Sequence, residues 1–108
     1  MRKQNERPVC PVATTVNLIG GKWKLLIIRN LMVRPWRFNE LLKSLDGCSQ
    51  RMLTNSLRTM ENDGLITRTV FAAVPPRVEY ALSPLGESLR PILGAMEIWG
   101  TDYLKSHK

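Results

Sequence analysis

The sequence predicts an α+β fold, mostly α: a winged helix-turn-helix domain with a flanking helix at each end. Two observations carry this reading. Residues 39–64 hold two short helical segments joined by a turn containing glycine, the helix-turn-helix pattern. Directly after them come two alternating segments rich in β-branched and aromatic residues, which read as a hairpin, or wing. With 108 residues the chain supports one core, so residues 1–108 are read as a single domain.

Each element has its own signal. Residues 1–9 read as a mobile polar tail. Cys10-Pro11 opens a short helix to about Leu18, with Pro11 at a first helical position and Val12, Val16 and Ile19 at helical spacing. Gly20-Gly21 breaks it. A second helix from about Lys22 to Met32 is apolar around most of its circumference, as a central buried helix is, and Pro35 ends it. Asn39 is expected to cap the helix ELLKSL, which stops at Asp46-Gly47. Ser49 caps the next helix, which runs to about Asn62 and ends at Gly64. The wing spans residues 65–83: LITRTVF (65–71) and RVEYALS (77–83) alternate around the stiff turn AAVPP. Ser83-Pro84 then opens one long helix over residues 84–105, with a kink expected at Pro91.

Composition narrows the function classes. Hydrophobic residues make up 44% and charged residues 23%, ordinary values for a globular protein. No apolar run approaches a membrane span, and no apolar segment follows the first basic residues, so neither a membrane partner nor a secretory leader is expected. Cytoplasm is the expected location. Two cysteines are too few for a disulfide scaffold, and a single His107 offers no metal-ligand set, so neither metal nor cofactor is expected. The 16 Lys and Arg against 9 Asp and Glu give a charge of +7. Residues 22–77 carry +6 of it and residues 78–108 carry −1, which points to a polyanion partner, either nucleic acid or an anionic membrane surface.

The stretch SQRMLTNSLRTMENDGLITR (49–68) says which surface meets it. On a helical wheel Gln50, Arg51, Thr54, Asn55 and Arg58 span an arc of roughly 140°. Leu53, Leu57 and Met60 lie opposite. Arg can bridge guanine, Asn and Gln can pair with adenine, and Thr can meet a phosphate or a thymine methyl. No acidic residue interrupts the arc before Glu61, whereas a merely solvated face mixes both signs. Double-stranded DNA is therefore the expected partner. Arg77, beside Pro75-Pro76, is expected to reach the minor groove or its phosphates. Arg68 either grips phosphate or pairs with Glu61 or Asp63. Lys22, Lys24, Arg37 and Lys43 are further candidates for phosphate contact.

Three runs carry a resemblance: CPVATTVNLIGGKWKLLIIRNL, RFNELLKSLDGCSQRMLTNSLRTMENDGLITRTVF and VPPRVEYALSPLGESL. Together they resemble the HxlR family of bacterial winged-helix transcriptional regulators from residue 10 to about 100, most specifically in CPV, GGKW, RFNEL and PPRVEY. The similarity extends, more distantly, to the MarR group. The resemblance implies a homodimer held by the two flanking helices, which become dimerisation helices, with one recognition helix per subunit in successive major grooves. It also implies repression as the usual output, although the residues themselves do not distinguish repressor from activator. On this reading Val12 and Val16 of the first helix and Leu89, Ile92, Met96, Trp99 and Tyr103 of the last form the dimer contact. The last helix carries more apolar surface than one small domain uses. The operator is then pseudo-palindromic, with half-sites about one helical turn, or a multiple, apart.

Some members of that family respond to oxidants or electrophiles through the cysteine preceding Pro-Val, which corresponds to Cys10. A helix start and a nearby Arg7 both favour a thiolate there. Cys48 lies just before the recognition helix, and whether the two thiols approach depends on geometry; the alternative is two idle thiols. A small-molecule effector is a further candidate partner, in a pocket lined by Trp23, Met32, Trp36 or Trp99, a set that plain core packing also explains.

An enzyme is not expected. GGK at 20–22 lacks the glycine spacing of a phosphate loop and has Trp23 where Ser or Thr belongs, and no nucleophile–base pair is present. The rival reading is a winged helix that binds a protein rather than DNA. It calls for acidic or apolar residues on the arc of 50–58, where the sequence has neither. RNA and lipid binding share the positive charge, but no aromatic stacking platform or single basic stripe marks them.

Overall fold

A computed structural model describes residues 9–107. The polar tail expected over residues 1–9 therefore lies, apart from Val9, outside the described residues. The chain order is α1 (Pro11–Ile19), α2 (Lys22–Leu31), β1 (Trp36–Arg37), α3 (Phe38–Ser44), α4 (Gln50–Asn62), β2 (Ile66–Phe71), β3 (Arg77–Leu82), α5 (Pro84–Glu87) and α6 (Arg90–Ser106). A mostly helical winged helix-turn-helix is what the pattern predicts.

The core forms where apolar stripes from several elements meet. Ile27 and Ile28 of α2, Leu41 of α3, and Leu53, Leu57 and Met60 of α4 are all fully buried. Leu65 and Ile66 close the core from the start of the wing. α2 packs against α4, so α4 is seated on a helix that buries Ile27, Ile28 and Leu31. Asn30 is buried without penalty: its amide donates to Ser44 Oγ (2.9 Å) and its backbone carbonyl accepts from Trp36 Nε1 (3.0 Å).

The sheet is antiparallel in the order β1-β3-β2. Trp36 pairs with Tyr80 and Arg37 with Glu79, while Arg68 also faces Tyr80 and Phe71 faces Arg77. β1 is absent from the sequence reading because two residues are too short to alternate; pairing with β3 alone defines it. That strand also displaces the expected cap. Arg37, held extended by β1, is the N-cap of α3, and Asn39 falls inside the first turn. Glu40 accepts from the Arg37 backbone N–H (2.9 Å) and from Arg34. The Arg37 N–H, then Arg34, holds the Glu40 carboxyl below the ordinary carboxylate range.

The single long helix expected over 84–105 is in fact two. Ser83 caps α5, accepting from the Gly86 N–H (3.0 Å) while its hydroxyl donates to the Gly64 carbonyl (2.6 Å). After Ser88, whose N–H still donates to the Pro84 carbonyl (3.2 Å), the regular ladder is interrupted, and Pro91 sits in the first turn of α6 rather than inside one continuous helix. A proline supplies no N–H and its ring clashes with the carbonyl four residues back, so a new helix starts around it. α6 then runs 17 residues without burying one of them.

Candidate nucleic-acid interface

α4 is defined at both ends by local chemistry. Ser49 accepts from the Met52 N–H (3.1 Å), and the chain leaves the helix through Gly64 at φ 81°, a left-handed conformation that glycine adopts without strain. With Leu53, Leu57 and Met60 buried beneath, the helix turns Gln50, Arg51, Asn55 and Arg58 to solvent, with Thr54 half-buried among them. The five residues of the predicted arc thus share one face. Among the described residues Arg51 and Arg58 form no ion pair, so both guanidinium groups are available for an external anion. Thr54 is partly spoken for: its hydroxyl donates to the Gln50 carbonyl (2.8 Å), which leaves its methyl and lone pairs to face outward.

The wing adds a second wall. A cleft of about 510 Å³ separates α4 from the hairpin, lined by Gln50, Thr54, Arg58 and Glu61 on the helix and by Arg68 and Tyr80 on the strands. Arg68 therefore faces the same space as the arc, and among the described residues it forms no ion pair with Glu61 or Asp63. Tyr80 is a contact that sequence reasoning misses. Only the register, which sets Arg68 opposite Tyr80, brings its ring to the cleft.

Arg77 stands differently from the expectation. Its Nε lies 3.1 Å from a Glu79 carboxylate oxygen and its guanidinium sits 4.3 Å from the centre of the Phe71 ring. In this conformation it braces the wing, and a phosphate reaching it must compete with Glu79. Arg37 and Lys43 are exposed on β1 and in the last turn of α3, and Lys22 lies over the Trp23 ring (4.7 Å). None of these, nor the half-buried Lys24, lines the cleft between α4 and the wing.

The flanking helices present apolar side chains to solvent. At 100° per residue, Leu89, Ile92, Met96, Trp99 and Tyr103 fall within an arc of roughly 80° on α6. Leu89 is half-buried, while Trp99 is 69% exposed. Trp99 stacks on Tyr103 (5.4 Å between centroids), which stacks in turn on His107 (4.2 Å). Val12 is 72% and Val16 56% exposed on α1. A groove beside α1 is lined by Thr15, Leu18 and Ile19 on one side and by Leu85, Leu89 and Ile92 on the other.

Trp23, Met32, Trp36 and Trp99, the candidate lining of an effector pocket, do not gather at one place among the described residues. Trp23, Met32 and Trp36 pack against the core, whereas Trp99 stands on the exposed face of α6. Both cysteines are free thiols. Cys10 is exposed at the N-cap of α1, where its Sγ accepts from the Ala13 N–H (3.5 Å); Arg7 lies outside the described residues. Cys48 is half-buried beside the core, and that burial pushes its thiol pKa up, disfavouring the thiolate.

Comparison with known proteins follows the same lines. The model of the HxlR-like helix-turn-helix family matches residues 18–108. YdeP, an HTH-type transcriptional regulator of Bacillus subtilis, is 47% identical over 94 residues, which are 87% of this chain and 73% of YdeP. The redox regulator HypR in its oxidised form superposes with a TM-score of 0.82 at 43% identity, covering 86% of this chain and 96% of HypR. The reduced form of the transcriptional regulator YodB from B. subtilis gives a TM-score of 0.81 at 29% identity, over 94% of this chain and 100% of YodB.

Proposed function

Because the chain belongs to the HxlR-like helix-turn-helix family of transcriptional regulators, we propose that it is a dimer that binds a pseudo-palindromic DNA operator through α4 and represses transcription there. The observation that carries the reading is the acid-free arc of Gln50, Arg51, Thr54, Asn55 and Arg58, whose arginines are unpaired among the described residues. Arg51 and Asn55 serve as base readers in the major groove, while Arg58 and Arg68, across the cleft, hold the flanking phosphates. The stripe on α6 and the valines of α1 meet a second copy, which places two α4 helices about one helical turn of DNA, or a multiple, apart. Repression follows from occupying promoter DNA. The molecule works in the cytoplasm, and no helix among the described residues is long and apolar enough to cross a membrane.

Arg51→Ala and Asn55→Ala are each expected to weaken operator binding by about 1–3 kcal/mol and to relax preference at one base position. Anisotropy titrations against the operator, its single-base variants and random DNA check this. Equal losses on operator and random DNA would contradict base reading. A winged helix that binds a protein instead of DNA would lose nothing in either titration.

We further read the regulator as redox-responsive through Cys10. HypR is a redox regulator, and Cys10 is the exposed thiol while Cys48 is half-buried. Diamide accepts two electrons and two protons from two thiols, which join as one disulfide. Diamide treatment is expected to change operator affinity in the wild type and in no way alter it in Cys10→Ser. An undiminished response in Cys10→Ser would assign the sensing to another group. Non-reducing electrophoresis of Cys48→Ser then shows whether Cys48 or a second Cys10 is the partner.

A further inference from the structure

α6 has a long lever and a small anchor. Its 17 residues give a rod of about 25 Å at 1.5 Å per residue, none of them buried. Near its start Leu89 and Leu93 rest against the core, and the chain just before it is the turn at Ser88-Leu89, which keeps right-handed helical angles but leaves the regular ladder. Gly94, one turn further on, has no neighbour within 4 Å of where a side chain would stand. Two apolar contacts at one end act as a pivot; they do not fix a direction.

Arg90 adds a polar tie. Its Nη2 donates to the Met32 carbonyl (2.8 Å), a contact 58 residues away in sequence, while its Nε donates to the Glu87 carboxylate. Among the described residues this is the hydrogen bond that joins α6 to the body of the domain; the others from α6 side chains stay within the helix or its adjoining turns. The acceptor is well chosen. Met32 caps the C-terminus of α2, where carbonyls lack helical partners and carry negative partial charge, so a forked cation is held there on both counts. α2 in turn packs on α4. One guanidinium thus ties the start of the dimer helix to the helix beneath the DNA-reading face.

We propose that Arg90 is a positioning residue that sets the direction of α6 relative to α4 and thereby the half-site spacing that the dimer accepts. This rests on the dimeric DNA-binding reading above. The lever makes the effect large: a swing of about 10° moves the far end of a 25 Å helix by about 4 Å, more than the 3.4 Å rise of a base pair. With Arg90 in place the rod is braced at two points and two α4 helices hold one separation. Without it the rod turns on Leu89 and Leu93, and the dimer adapts to several separations.

The test uses an operator that the wild type selects from random DNA, and a series with one to three base pairs added or removed between the half-sites. The wild type is expected to lose about tenfold or more in affinity for each base pair of change, because spacing alters both distance and helical phase. Arg90→Ala is expected to bind the whole series within about threefold, with dimer mass by sedimentation and affinity for a single half-site unchanged. Arg90→Lys keeps a cation beside the Met32 carbonyl without the fork to Glu87 and is expected to broaden the profile too, which covers the case of Arg90→Ala failing to fold. An Arg90→Ala or Arg90→Lys profile as sharp as the wild type's overturns the proposal, even where overall affinity falls. So does a flat wild-type profile. A wild type that selects no sequence at all overturns the DNA-binding reading, and this one with it.

Discussion

Trp99→Asp is expected to leave a folded monomer that binds the operator at least about 100-fold more weakly than the wild type. Linking two half-site readers into one particle raises affinity by about 10²–10⁴ without any new contact, and a monomer forfeits that gain. The indole is 69% exposed in the protomer and stacks on Tyr103 of its own helix, so its loss opens no cavity in the core. In a dimer the same side chain sits mid-stripe between Met96 and Tyr103, where a carboxylate would be stranded in an apolar contact. Sedimentation and circular dichroism on one sample check the two halves of the statement. A variant that remains dimeric would show that the α6 stripe is not the contact.

Leu53→Ala is expected to cost about 2–5 kcal/mol of stability, the usual range for a fully buried leucine. Leu53 lies on α4 directly behind the polar arc and is fully buried in the cluster with Ile27, Ile28, Leu57 and Met60. In a domain near 100 residues this corresponds to roughly 4–8 °C of melting temperature per kcal/mol. Heating at one fixed protein concentration checks it, since the midpoint of a dimer depends on concentration. A loss under about 1 kcal/mol would mean that α4 is not seated as described. Arg51→Ala, on the opposite face of the same helix, is expected to melt with the wild type. The two faces of α4 are thus separable, one by stability and the other by affinity.

Local chemistry made much of this legible in advance. Ser49, Gly64 and the spacing of Leu53, Leu57 and Met60 define α4 within a single stretch, and the same spacing sends the polar arc to the other side. The wing strands were legible because alternation is a two-residue signal. What stayed hidden depends on partners distant in sequence. β1 exists because Trp36 and Arg37 pair with Tyr80 and Glu79, and its presence moved the α3 cap from Asn39 to Arg37. Tyr80 joins the cleft through its register with Arg68, and Arg77 is engaged by Glu79 and Phe71 through the same hairpin geometry. Pro91 was a legible disruption whose form was not: the sequence pattern fits a kink in one helix, while the structure interrupts the ladder at Ser88-Leu89 and starts a second helix. Aromatic composition likewise grouped Trp99 with Trp23 and Trp36, although only the latter two pack against the core.

The most direct measurement is a fluorescence-anisotropy titration of the reduced protein against the DNA upstream of its own gene and against fragments selected from random DNA, with excess random competitor. Binding that survives the competitor and is lost when bases under α4 are changed is the predicted result. Binding that the competitor removes from every fragment would contradict sequence-specific DNA recognition by this winged helix.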